Sequence, residues 1–303
     1  MSRRAQVIGL ALLAVLTGVL VLVALGRARP APAVPVTPLP WPTDAATTVA
    51  GSPGPSVSAP PSATPEPSVS APPSAAPSAS PQPTETRSPL PDGLAGLYAL
   101  IERDGPGSVL VFGDGSGDEP DEWVRRWAVD HLGTERPVSY RSWDRDGEAW
   151  RKASPNGGVD AITVWNASRR SPDLAAEPAR VAKASRRADV VLLSYGHRKT
   201  PDEIAGALTA IHAAVLEENP DATVVVLLQN PDPAERQWQQ LDTVQEVKRW
   251  ARAAGLDTVD IYDAFLADPT PRADLVEADG SPTATGSALW ARTLHAAIRS
   301  AAR

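Results

Sequence analysis

Three short segments hold residue types able to carry out acyl transfer. The first, FGDGSGDEPDEW (Phe112–Trp123), places Asp114 and Ser116 on either side of Gly115, with Asp118, Glu119 and Asp121 following. The second, SYGHR (Ser194–Arg198), offers His197, and the third, ADGSPTATG (Ala278–Gly286), offers Asp279 and Ser281. A serine hydroxyl becomes a nucleophile when a base within about 2.6–3.2 Å takes its proton and a third group orients that base. Of the four histidines, His131, His212 and His295 fall in helix-like stretches, and only His197 falls in a turn. Ser116, His197 and Asp279 are therefore the candidate catalytic residues, with Asp114 as a second carboxylate in reach. The plainer reading of Ser116 is a helix cap or turn closure. The acidic run from Asp114 to Asp121 has the ligand type of a hard-cation site. Its simpler reading is an acidic helix start that complements the helix dipole, and no metal or other cofactor is expected. The absence of cysteine excludes disulfides, thiolate metal sites and a cysteine nucleophile.

Elements must position these residues. Strand-like runs occur at Ser108–Asp114, Asp160–Asn166, Asp189–Gly196, Thr223–Asn230 and Asp257–Phe265. Helix-like segments lie at Asp121–Leu132, Asp173–Arg187, Pro201–Glu218, Ala234–Ala254 and Thr285–Ala302. The central runs are almost wholly apolar, which suits strands covered on both faces. Their alternation with helices predicts an α/β fold, a doubly wound parallel sheet of about five strands with helices on both faces. Ligands of such sheets bind at the carboxyl ends of the strands. That rule selects the turns 113–118, 166–171, 196–200 and 229–233, and the irregular stretch 268–285. Asp114, Gly115, Asn166, Gly196 and Arg198 are the expected cleft residues.

In order and spacing, FGDGSG, VWNASRRS, LLSYGHR, QNP and ADGSPTATGSALWA resemble the motif blocks of the SGNH (GDSL) hydrolases. The resemblance covers about two-thirds of the chain and implies a flavodoxin-like sheet and an ester or acyl hydrolase ancestry. In that family a serine attacks, a histidine takes its proton, and a serine amide, a glycine amide and an asparagine hold the oxyanion. Matched position by position, Gly115 stands at the nucleophile, Ser171 at the oxyanion glycine and Arg198 at the asparagine. Ser281 stands at the histidine, or Pro282 if one counts three residues from Asp279. The resemblance thus implies a degenerate member in which the old cleft binds a ligand. Two alternatives remain open: an active hydrolase using Ser116 with His197, and a structural or partner-docking module. Arg198 is a substitute oxyanion donor, a cleft cation for a carboxylate or phosphate, or the partner of a local aspartate.

Ahead of this domain, Arg3 and Arg4 precede an apolar run from Ala5 to Gly26. Its length matches the ~20 residues of a membrane-spanning helix and exceeds the ~7–15 of a signal-peptide core. The expected organisation is a cytoplasmic tail (1–4), a signal-anchor helix (5–26), a disordered linker (27–91) and the SGNH-like domain (92–303) outside the cell membrane. Secretion after cleavage is the alternative. The linker holds 19 of the 32 prolines and repeats the octet SVSAPPSA, a composition that stays extended. Residues 92–303 carry 24 Lys/Arg against 33 Asp/Glu, a net charge of −9, which disfavours nucleic acid. The expected partners are the membrane, through the N-terminal helix, and a cell-envelope glycan or acylated ligand. Trp143 and Trp150, in the charged segment Arg141–Lys152, are either stacking platforms for sugar rings or a cover over the sheet. The glycosylation sequon at Asn166 falls at a strand end in the expected crevice and is discounted.

Overall fold

A computed structural model describes residues 90–144, 148–233 and 237–302. The expected tail, anchor helix and nearly all of the linker lie outside these residues. Among the described residues no helix is long and apolar enough to cross a membrane.

Seven strands form one sheet in the order β3-β2-β4-β1-β5-β6-β7. They are β1 (Gly107–Gly113), β2 (Val138–Asp144), β3 (Ala149–Trp150), β4 (Ile162–Asn166), β5 (Val190–Ser194), β6 (Thr223–Leu227) and β7 (Asp257–Val259). All neighbours are parallel except β3, which runs antiparallel to β2. The first strand lies in the middle, so the chain leaves it in one direction for β2 and β4 and in the other for β5 to β7. The ligand crevice of such a sheet opens where the winding reverses. Register fixes what meets there: Val111 pairs with Asn166, and Gly113 with Ser194.

Alternation along the strands builds two cores. Val109, Val111, Val190, Leu192, Val225 and Leu227 face one side. They pack against α1 (Gly93–Glu102), α2 (Trp123–Arg126), the π-helical turns Trp127–Leu132, and α9 (Ala284–Ser300). Leu110, Phe112, Val191, Leu193, Val224 and Val226 face the other. They meet α4 (Glu177–Ala184), α5 (Pro201–Glu218) and α6 (Gln237–Ala253). Short helices α3 (Gly133–Glu135), α7 (Ile261–Ala267) and α8 (Arg272–Leu275) complete the order. Trp123 of α2 stacks on Trp290 of α9 at 5.2 Å and 3°, bracing the helix after the first turn against the last helix.

Two expectations need correction. The sheet has seven strands rather than about five, because β3 and the outer half of β2 lie in the segment read as charged. Only Val138, Ser139 and Tyr140 of β2 are buried, and its half-buried outer part, beside the edge strand β3, tolerates Arg141 and Asp144. Asp257–Phe265 is not one strand: β7 stops at Val259, and the Asp260 carboxylate accepts a bond from the Asp263 N–H at 3.0 Å and starts α7.

Candidate functional site

The crest of β1 turns on a buried carboxylate. Asp114 is 2% exposed. One of its oxygens accepts from the Ser116 N–H at 3.2 Å and the other from the His197 N–H at 2.7 Å. Burial pushes its pKa up, and the His197 ring and the two N–H bonds oppose that rise. Asp114 thus acts as a strut between the first and third turns.

The loop after β4 lies over the first turn. The Arg170 N–H donates to Asp118 at 2.8 Å, and the Arg169 N–H to the Gly113 carbonyl at 3.1 Å. This brings backbone so close to Gly115 that a Cβ there would stand 3.1 Å from the Arg170 Cα. Ser116 is turned inward and 1% exposed. Its hydroxyl lies beside Asp114 and lowers that group's proton affinity, but among the described residues it makes no hydrogen bond of good geometry to any group, histidines included. Nor does it cap a helix, since α2 begins at Trp123 with Glu122 at its N-cap position.

The third turn carries Gly196, His197 and Arg198. Arg198 has φ +57 and Ser171 φ +49, a left-handed region that non-glycine residues seldom occupy, with Asn among the exceptions. The backbone at Arg198 therefore has a conformation that asparagine also tolerates. A capping box between Thr200 and Glu203 starts α5 directly behind, and the Thr243 hydroxyl donates to the Lys199 carbonyl at 2.5 Å. His197 is 9% exposed, and among the described residues its Nδ1 is buried without a hydrogen-bond partner. Against it sits Gly280, at φ +89, where a Cβ would come within 2.9 Å of the His197 ring. Asp279, one residue earlier, accepts the Ser281 N–H at 3.0 Å. That bond outweighs burial and holds its carboxyl below the usual range, with Arg170 and His197 adding to the effect.

Together these loops enclose a cavity of about 330 Å³. Gly115, Ser171, His197, Arg198, Asp279 and Ser281 line it, with Asp114 on its floor and two cations the sequence reading had not singled out, Arg170 and Lys199. Among the described residues neither Arg170 nor Arg198 forms an ion pair, whereas the Lys199 ammonium donates to the Pro172 carbonyl at 3.1 Å. Ser116, Gly196 and Asn166 stand behind the wall. The Asn166 amide donates to the Gly117 carbonyl (2.7 Å) and the Tyr140 hydroxyl (2.9 Å), and its oxygen accepts the Ser168 N–H (3.0 Å). Among the described residues no group of three or more His, Asp or Glu side chains is arranged to hold a metal.

A buried network supports the crest from below. Glu177, fully buried, takes the Arg180 guanidinium on both oxygens and the Tyr195 hydroxyl at 2.5 Å. Arg180 also donates to the Ala167 carbonyl at 2.5 Å and lies over Phe112 at 5.6 Å. Ala167 and Tyr195 directly follow β4 and β5, so one side chain ties both loops to the helix layer.

No protein-family model matches the chain, and no curated protein matches it in sequence. Solved structures do. A peptidoglycan O-acetylesterase aligns over 68% of this chain and 96% of its own, with TM-score 0.51 and 12% identity. A lipase/acylhydrolase from Enterococcus faecalis aligns over 64% and 96%, with TM-score 0.47 and 18% identity. A member of the lipolytic G-D-S-L family from Veillonella parvula aligns over 61% and 94%, with TM-score 0.43 and 10% identity. The domain has an SGNH hydrolase-like fold. At these identities the likeness is one of fold. Gly115, Ser171, Arg198 and Ser281, matched by sequence to the nucleophile, oxyanion and base positions of SGNH enzymes, all line the one cavity.

Proposed function

We propose that this domain is a non-hydrolytic SGNH-fold module that takes an anionic group of a cell-envelope ligand into the cleft, carried outside the membrane on the N-terminal anchor and linker. One observation supports the reading: a Cβ at Gly115 would stand 3.1 Å from the Arg170 Cα, so a nucleophile's side chain there would require the loop after β4 to shift. The cleft offers Arg170, Arg198 and Lys199 in its place. Arginine suits carboxylate and phosphate groups because its planar fork donates in pairs.

The test is hydrolysis of p-nitrophenyl acetate by the full-length chain beside Ser116→Ala. We expect both to match the background rate. Turnover that depends on Ser116 would sink the non-hydrolytic reading and move the function to Ser116, with His197 and Asp279 as its partners. In parallel, binding to purified peptidoglycan should weaken on Arg198→Ala. Equal binding would remove Arg198 from the ligand site.

A further inference from the structure

A second cavity, about 460 Å³, adjoins the cleft and falls within the ~300–1,000 Å³ common for small-molecule sites. Arg170, Asp279 and Ser281 line both. The lining of the second is acidic. Glu119, Asp121, Glu122, Glu277 and Asp279 stand around it, and among the described residues Arg170 is its only cation. The N-terminus of α9, at Thr283 and Ala284, also faces it and adds about half a positive charge. Five carboxylates against one guanidinium and one helix end leave the cavity strongly negative.

Four of these carboxylates are exposed, and water alone can hold them. Glu122 is different: it is 7% exposed, yet it lines the cavity. One of its oxygens accepts the Glu119 N–H at 2.7 Å, and among the described residues the other accepts from no group. Burial, and after it the Glu119 and Asp121 charges, push its pKa up to about 7, against the Glu119 N–H bond and the Arg170 charge. Glu122 therefore combines a free acceptor with a shortage of nearby positive charge. Among the described residues these carboxylates are not arranged as the ligands of a metal ion. A primary ammonium suits them better, because its three N–H donors can reach separate oxygens.

We propose that this cavity is a primary-ammonium subsite, in which Glu122 accepts an N–H of the ammonium and the four exposed carboxylates supply the surrounding negative field. The subsite stands on its own lining. Taken with the reading of the cleft as an anion site, on which this further step rests, it makes the ligand zwitterionic. The anion enters the cleft, and the ammonium lies on the other side of Arg170, beside Glu122.

The test is calorimetric titration of the full-length chain with three matched probes. Trialanine carries an ammonium and a carboxylate, N-acetyl-trialanine the carboxylate alone, and trialanine amide the ammonium alone. Trialanine should bind at least about tenfold more tightly than N-acetyl-trialanine. Glu122→Gln should erase most of that preference. Glu119→Gln/Glu277→Gln, which changes only exposed side chains, should cut it at least about threefold even if Glu122→Gln disturbs α2. Arg198→Ala should weaken trialanine and N-acetyl-trialanine alike and leave trialanine amide unchanged, which separates the two sites. Equal binding of trialanine and N-acetyl-trialanine sinks the ammonium subsite and leaves the anion reading of the cleft standing. Binding of trialanine amide without N-acetyl-trialanine supports the subsite and sinks that anion reading. No binding of trialanine or its amide refutes the subsite, as does an unchanged preference in the Glu119→Gln/Glu277→Gln variant.

Discussion

Replacing Glu122 with glutamine should flatten the pH dependence of stability. Glu122 is 7% exposed, at the mouth of α2, where its carboxylate accepts the Glu119 N–H at 2.7 Å. Burial raises its pKa from 4.5 to about 7. The Glu119 N–H bond opposes that rise, and the nearby Glu119 and Asp121 charges add to it. The fold therefore prefers the protonated acid. Glu122 contributes its full stabilisation below the unfolded value, and that contribution disappears as pH rises through about 7. A rise of this size corresponds to about 3 kcal/mol. Between pH ~5 and pH ~8 the native chain should lose roughly 2–3 kcal/mol from this group alone. Glu122→Gln cannot ionise and can still accept the Glu119 N–H, so it should not show this loss. Urea unfolding of both proteins at the two pH values isolates the effect, because every other titrating group is common to them. Parallel pH profiles would refute the reasoning.

Two further outcomes follow from the crest. Gly115→Ser places a side chain against the Arg170 backbone and should destabilise the fold by about 1–3 kcal/mol, read by chemical denaturation. Unchanged stability would mean that the loop after β4 yields easily and that Gly115 does not bar a nucleophile's side chain. Arg180→Ala removes the cation paired with the buried Glu177 and should cost about 3–5 kcal/mol, read as a fall in the unfolding midpoint. A loss under about 1 kcal/mol, the worth of a surface pair, would show that the network does not hold the loops.

The sequence makes the central strands readable because β1, β5 and β6 are buried on both faces and carry little but apolar residues. It hides β2, whose outer half is only half-buried and therefore holds Arg141 and Asp144. At the site, Asp114, Gly115, His197, Arg198 and Asp279 are legible because each sits within a few residues of a strand end or a recognisable motif. Arg170 is not, since its role depends on how a distant loop folds onto Gly115. The adjacent Arg169–Arg170 pair just past a strand end was the available signal. Glu122 looks like one more acid in an acidic run. Only the packing of α2 under the crest separates it from Asp121, which stays in solvent. Glu177 and Arg180, three apart on a helix, read as a surface pair until Tyr195 and Phe112 close over them.

The sheet ends on β3, two residues long, and on β7, three residues long. An unpaired strand edge is a template on which another chain can zip, and its hazard grows with the length of ladder left open. Both margins here are too short to seed such pairing, and β3 lies antiparallel along the outer end of β2. Copies of this domain can therefore be crowded together at high local density without fusing sheet to sheet.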